Sequence, residues 1–357
     1  MSNKTDILNK RIESIDFLRG LTIIFMIMYH IKIFWFERAS GFFIEFIMVL
    51  GLIAAPFFLI ISGIGFNLYI SNSIKKDLSK IQIYIEIIKR AIIIFFISTL
   101  LNFLFGIFFI SKFLFLYWSV FQLIAISMLL SGIIILNRKW KLLFVILLII
   151  ILFALNQNIL LLNSKLFDIL FEGSFPFFPW VYCFLLGILI GISIEKLNKD
   201  NFKIIAICYL ILSINALLLW YLWFRIYFAE SLELNLFLCS VGTFLILFLF
   251  FYLILDFKEI NFRVNKVIEK WGKLSFSIYY IHFIIIYGVL ILFTLYFYED
   301  FQLTFGYYYY LIICLIFLMT IESFLLLWKK INYKYGAEWI LNLLSKKSLF
   351  SKINHKT

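Results

Sequence analysis

The stretch Arg11-Ile-Glu-Ser-Ile-Asp16-Phe-Leu-Arg19-Gly20-Leu-Thr-Ile-Ile-Phe-Met-Ile-Met-Tyr29-His30 decides how this chain is read. From Leu21 onward it is almost wholly apolar, with Arg19 at one end and His30 at the other. Ionisable groups within a membrane span are costly and usually face the protein interior, where they mark a pathway or a site. An eleven-residue step is about three helical turns, so Arg19 and His30 share one face, roughly 16 Å apart along the axis. Asp16, three residues before Arg19, joins that face. A charged floor with a titratable group above it predicts a site.

The rest of the chain is as apolar as this opening. Hydrophobic residues make up 64%, aromatic residues 21% and charged residues 15%, with a mean hydropathy of +1.05. That composition excludes an ordinary soluble globular protein. Segments of about 20 apolar residues recur, each long enough to cross a hydrocarbon core. Ten are predicted: 17–36, 46–70, 91–110, 113–136, 141–162, 177–194, 202–224, 232–255, 275–298 and 307–328. The first carries Arg19 and has no small-residue cleavage site after it, so it is not expected to be a removable signal. The expected organisation is a short cytoplasmic segment (1–16), one transmembrane domain (17–328) and a basic cytoplasmic tail (329–357).

The net charge of +12 follows from topology. If the N-terminus is cytoplasmic and the segments alternate, 26 of the 32 basic residues fall in cytoplasmic loops and tails. The opposite side receives only Arg38, Lys112, Lys165 and Arg225. By the positive-inside rule this predicts a multi-pass cell-membrane protein with both termini in the cytoplasm. It leaves no need for nucleic acid as a partner. Lys346, Lys347, Lys352 and Lys356 in the tail read as a topology anchor or an anionic-lipid contact. Cys183, Cys208, Cys239 and Cys314 all lie in apolar segments without paired spacing, so no disulfide framework and no metal site is expected.

Further motifs follow in order. The second segment contains Ala55-Pro56-Phe57-Phe58 and Ser62-Gly63, and the third opens with Lys89-Arg90-Ala91 and reaches Leu101-Asn102. Then come Trp118-Ser-Val-Phe-Gln122, Phe178-Pro179-Trp180 with Gly187 and Gly191, and Gly272-Lys-Leu-Ser275-Phe-Ser-Ile-Tyr279-Tyr-Ile-His282. Together with Arg11…Asp16-x-x-Arg19-Gly20…His30, these resemble the catalytic-domain family of heparan-alpha-glucosaminide N-acetyltransferase, within a wider superfamily that includes acyltransferase-3. The resemblance runs over roughly residues 11–330. It implies an all-α membrane acyltransferase that uses acetyl-CoA and a sugar or glycan acceptor. One position departs from it. The first outer loop, Trp35-Phe-Glu37-Arg38-Ala-Ser40, has no histidine, and His30 stands where acyltransferase-3 proteins have theirs, so both an amine and a hydroxyl stay open as acceptors.

The residues by themselves suit transfer across a membrane. Arg19 lies near the inner face, where Lys89 and Arg90 can supply further cationic partners for the phosphates of cytoplasmic acyl-CoA. Neutral His30, nearer the outer face, can take a proton from an acceptor. Asn102, Trp118 and Gln122 are candidate donors to a developing oxyanion. Asp16, Trp180 and Tyr279 are supporting candidates. His282, seven residues into its segment, is expected near the cytoplasmic half, in a donor-binding role on a seam with Ser275 and Tyr279. Two rivals stay open: an O-acyltransferase of a surface polysaccharide or lipid-linked sugar, and a transporter of a small anion or lipid with Asp16, Arg19 and His30 as a relay. A monomer and a homodimer are equally compatible.

Overall fold

The computed structural model describes residues 11–36, 40–106, 119–135, 140–162, 175, 177–197, 201–226, 232–260, 262–297 and 307–346. Among them every regular element is helical. The elements are α1 (Glu13–Trp35), α2 (Phe42–Lys75), α3 (Lys80–Phe105), α4 (Val120–Ile135), α5 (Lys141–Leu162) and α6 (Phe177–Ile194). There follow α7 (Phe202–Ile226), α8 (Leu232–Phe251) continued by a π-helical turn (Tyr252–Phe257), α9 (Arg263–Lys273), α10 (Ser275–Phe297), α11 (Tyr307–Lys329) and α12 (Ala337–Lys346). Helices suit this composition because each satisfies its own backbone groups where there is no water to do so. Eight of the described helices are long and apolar enough to cross a membrane, and α4 and α5 fall on the other two predicted segments.

Two helix pairs set the frame, both through glycine. A Cβ on Gly63 of α2 would lie 2.0 Å from the Phe184 carbonyl oxygen, and one on Gly187 of α6 2.0 Å from that of Ile60. The backbones of α2 and α6 therefore touch directly, the small-residue contact that Gly187 and Gly191 predict. The same device joins α1 to α9. A Cβ on Gly20 would lie 1.9 Å from the Ile268 carbonyl oxygen, and one on Gly272 1.9 Å from that of Asp16. Around the first pair lies a core that includes Leu59, Ile60, Phe184 and Phe244. Around α1, α10 and α11 lies a second, with Ile27, Ile31, Ile278, Ile286 and Ile321.

Helix starts leave N–H groups without intrahelical partners. Ile12 at the start of α1 offers no side-chain cap. Asp256, on the π-helical turn, accepts instead from the backbone N–H of Glu13 (2.8 Å) and of Ser14 (3.0 Å). Glu338 of α12 does the same for α10, accepting from Phe276 N–H (2.8 Å), Ser277 N–H (3.1 Å) and the Ser277 hydroxyl. A carboxylate also complements the positive end of the helix dipole. Both capped helices carry a histidine.

Candidate functional site

The α1–α9 contact fixes the height of that pair. Gly272 rests against Asp16 and Gly20, and α10 then turns to run beside α1. Past the turn at Leu274, α10 runs beside α1 and brings His282 level with His30. His30 Nδ1 and His282 Nε2 are 3.0 Å apart, and the rings are nearly parallel at 11°. His282 is fully buried and His30 half-buried. The sequence reading separates these residues by depth because it starts each span at the first apolar residue. The first turns of α1 lie against the amphipathic α9 instead, so both histidines sit at the same height.

Aromatic rings enclose the pair. Phe283 lies 4.6 Å from His30 and 4.3 Å from His282 between ring centroids, and Tyr279 lies 5.7 Å from His282. Phe34 and Tyr287 pack against each other beyond them, with centroids 5.0 Å apart and rings tilted by 55°. Two hydrogen bonds clamp α1 in place: Tyr310 donates to the Met28 carbonyl (3.1 Å) and the Trp35 indole to that of Ile286 (3.4 Å). On His282 the second ring nitrogen, Nδ1, is 3.1 Å from the Ile278 carbonyl.

Below the histidines the surroundings become ionic. Arg11 engages the Asp16 carboxylate through two nitrogens, while Arg19 approaches the same carboxylate only to 3.9 Å. The Arg19 guanidinium extends instead toward Gly65 of α2, where a Cβ would be 3.4 Å from it. One turn further along α2, the Arg90 guanidinium covers the Tyr69 ring at 4.4 Å. Its Nε is buried and makes no hydrogen bond. Tyr69 in turn donates to Glu86. Gly65 and Tyr69 are four residues apart on one face of α2, about 6 Å in rise, so Arg19 from α1 and Arg90 from α3 meet that face at neighbouring turns. Lys89 is half-buried beside Arg90.

Other predicted residues lie elsewhere. Gln122 accepts from Ser119 N–H (2.9 Å) and the Asn102 amide (3.3 Å) and donates to Thr99 (2.9 Å), forming a cluster between α3 and α4. Rings link that cluster toward the histidines, Phe121 lying 4.9 Å from Tyr279. Trp180 is buried in the core around α6. Trp118 lies outside the described residues. Glu195 was not singled out from sequence, yet it gathers Asn67 (2.5 Å), Ser71 and Lys141 (2.6 Å) at the end of α6. A glutamate that closely follows an apolar helix is the signal that points to it. A shallow apolar cleft lined by Leu21, Thr22 and Phe25 among others opens on a different face of α1 from Arg19 and His30. Among the described residues no group of three or more His, Cys, Asp or Glu side chains is placed to hold a metal.

The arrangement offers two cationic groups, Arg19 of α1 and Arg90 of α3, beside one face of α2, and a histidine pair further along α1. The family model for the catalytic region of heparan-alpha-glucosaminide N-acetyltransferase matches residues 11–226, more than half of the chain. The chain belongs to this family. It is therefore a multi-pass membrane protein with a membrane acyltransferase domain. No curated protein matches the chain. The match to the N-acetyltransferase family takes in α1, with Arg19 and His30, and α3, with Lys89 and Arg90. It ends before α8, so His282 and the motif around it stand outside it.

Proposed function

We propose that this protein transfers an acetyl group from cytoplasmic acetyl-CoA to a sugar or glycan acceptor at the outer side of the membrane. In this reading ten spans place both termini in the cytoplasm, as the charge asymmetry favours. Arg19, Lys89 and Arg90 hold the CoA end; the buried, unsatisfied Nε of Arg90 and the loosely paired Arg19 favour this. The thioester extends toward His30. An acceptor amine or hydroxyl attacks the thioester carbonyl while His30 takes its proton; the tetrahedral intermediate then collapses, the C–S bond breaks, and CoA leaves as the thiolate. No metal is needed for that sequence. One chain supplies every residue named, and a homodimer is compatible with it.

The observation that carries the reading is the placement of a half-buried imidazole one membrane leaflet above a cationic floor on the same helix. Two acceptor chemistries fit, because His30 can serve an amine or a hydroxyl alike. Proteoliposomes given radiolabelled acetyl-CoA on the cytoplasmic face, with glucosamine on the other, test it. Label on glucosamine in the opposite compartment is expected. Uptake of glucosamine or another solute without release of CoA would replace the enzyme with a transporter.

A further inference from the structure

We propose that His282 is a positioning residue that fixes the tautomer of His30 and so aims its basic nitrogen at the acceptor. The inference rests on the reading of His30 as general base. A backbone carbonyl only accepts hydrogen bonds. The 3.1 Å contact between Ile278 O and His282 Nδ1 therefore places a proton on that Nδ1. Neutral His282 then has its lone pair on Nε2, the atom 3.0 Å from His30 Nδ1. For that contact to be a hydrogen bond, His30 Nδ1 must carry the proton. What remains on His30 is a lone pair at Nε2, on the opposite edge of the ring. The chain from Ile278 to His30 thus runs in one direction and has one end free to accept a proton.

This matters because a histidine side chain in water favours the other tautomer, with hydrogen on Nε2. Such a ring would present a hydrogen where a base is needed. Which nitrogen is protonated is set by the hydrogen bond that the other one makes. His282 sets it without introducing a buried charge, which an aspartate in the same place would do. Once His30 has taken the acceptor proton, its Nδ1–H bond to His282 becomes charge-assisted and stronger. The pair holds one extra proton at most, since two imidazolium rings at this separation repel.

The anchoring of His282 agrees with such a role. It is fully buried, flanked by Tyr279 and Phe283, and its helix is capped by Glu338 from the far end of the chain. His30, by contrast, is only half-buried. A residue that touched the acceptor would need that exposure; a residue that orients another does not.

The chain has three histidines, so nitrogen NMR of ¹⁵N-histidine protein in bilayers can read each ring. His355→Asn removes the tail signal, and His30→Gln identifies the His30 signals by their loss. The expected spectrum shows His30 with hydrogen on Nδ1 and an unprotonated Nε2. In His282→Phe, which keeps a ring but cannot accept, His30 should shift toward the Nε2–H form, and transfer from acetyl-CoA to glucosamine should fall roughly 10²-fold with donor affinity unchanged. His282→Gln places an oxygen near the lost Nε2 and should restore most of both signals. Wild-type His30 with hydrogen on Nε2 would overturn the inference. So would equal inactivity of the Phe and Gln variants with an unchanged His30 spectrum, which would mark a packing role. Full activity in His30→Gln would instead remove the general-base reading itself.

Discussion

The end of the helix bundle around Asp16 and Glu338 and the histidine level above it handle polarity in opposite ways. Below, charges are paired in twos and threes: Arg11 with Asp16, Lys270 with Glu322, Lys141 with Glu195, Asp256 and Glu338 with helix N-termini. At the histidine level no carboxylate contacts either ring among the described residues; the rings meet each other, a carbonyl and aromatic side chains. The contrast has a physical reason. The lower region holds partly exposed groups such as Arg11, and its ion pairs and caps serve to hold helix ends. Higher up, an unpaired charge would be expensive. A neutral pair of imidazoles can wait there and become charged only for the duration of a reaction.

The largest expected effect follows from that contrast. His30→Ala should leave a folded, membrane-inserted protein that still binds acetyl-CoA, yet transfers about 10²- to 10⁴-fold more slowly. Steady-state rates with and without saturating donor separate the two properties. An active His30→Ala protein would show that the neutral level is ordinary packing.

Next come the loosely paired cations. Arg19→Ala and Arg90→Ala should weaken acetyl-CoA binding by roughly 10- to 100-fold, the range for a hydrogen bond to a charged group. Acceptor affinity should change much less. Isothermal titration with desulfo-CoA, which lacks a reactive thiol, reads this without turnover. Unchanged affinity in both variants would return the two guanidinium groups to the structural ion pairs around them.

How much of this was visible in the sequence differs between the two levels. The spans could be read because each apolar run is one membrane thickness long, and the shared face of Arg19 and His30 because both lie on one unbroken helix. Glycine contacts could be read as packing but not as partners; nothing local in Gly20 names Ile268. The caps were out of reach, since Asp256 serves Glu13 and Glu338 serves Phe276 across long separations in the chain. Glu322 announces a buried charge, but only the fold supplies Lys270 and the Trp271 indole, 2.7 Å away. His282 shows the limit most clearly. Its chemistry was evident and its depth was not, because depth depends on where α9 turns into α10.

A smaller effect belongs to the cap of α1. Asp256→Ala should cost about 0.5–2 kcal/mol of stability by exposing two N–H groups at a helix start. The turnover number per folded molecule should stay near that of the wild type, because the cap lies several turns below His30. Thermal unfolding in detergent alongside active-site-normalised rates checks both halves. Loss of turnover at full stability would mean that the lower region does more than hold helices.

The smallest expected effect is a pH dependence at the other cap. Burial pushes the Glu338 carboxyl above the ordinary carboxylate range, opposed by its bonds from Ser277, the Ser277 N–H and the Phe276 N–H. Ionisation is therefore less favourable in the folded state than in the unfolded one. The stabilisation is fully present below the unfolded value, near 4.3 for a glutamate, and is lost as pH rises through the higher folded value. Glu269 on α9 is pushed in the same direction, first by burial and then by Glu13, so the total slope cannot be given to Glu338 alone. The difference between wild type and Glu338→Gln isolates it. The amide keeps an acceptor for the two N–H groups and cannot ionise, so its unfolding temperature should vary less with pH across that interval. Identical pH profiles for the two proteins would show that α12 docks on α10 through its packing around Gly336 and Trp328 and owes nothing to the charge state of its carboxyl.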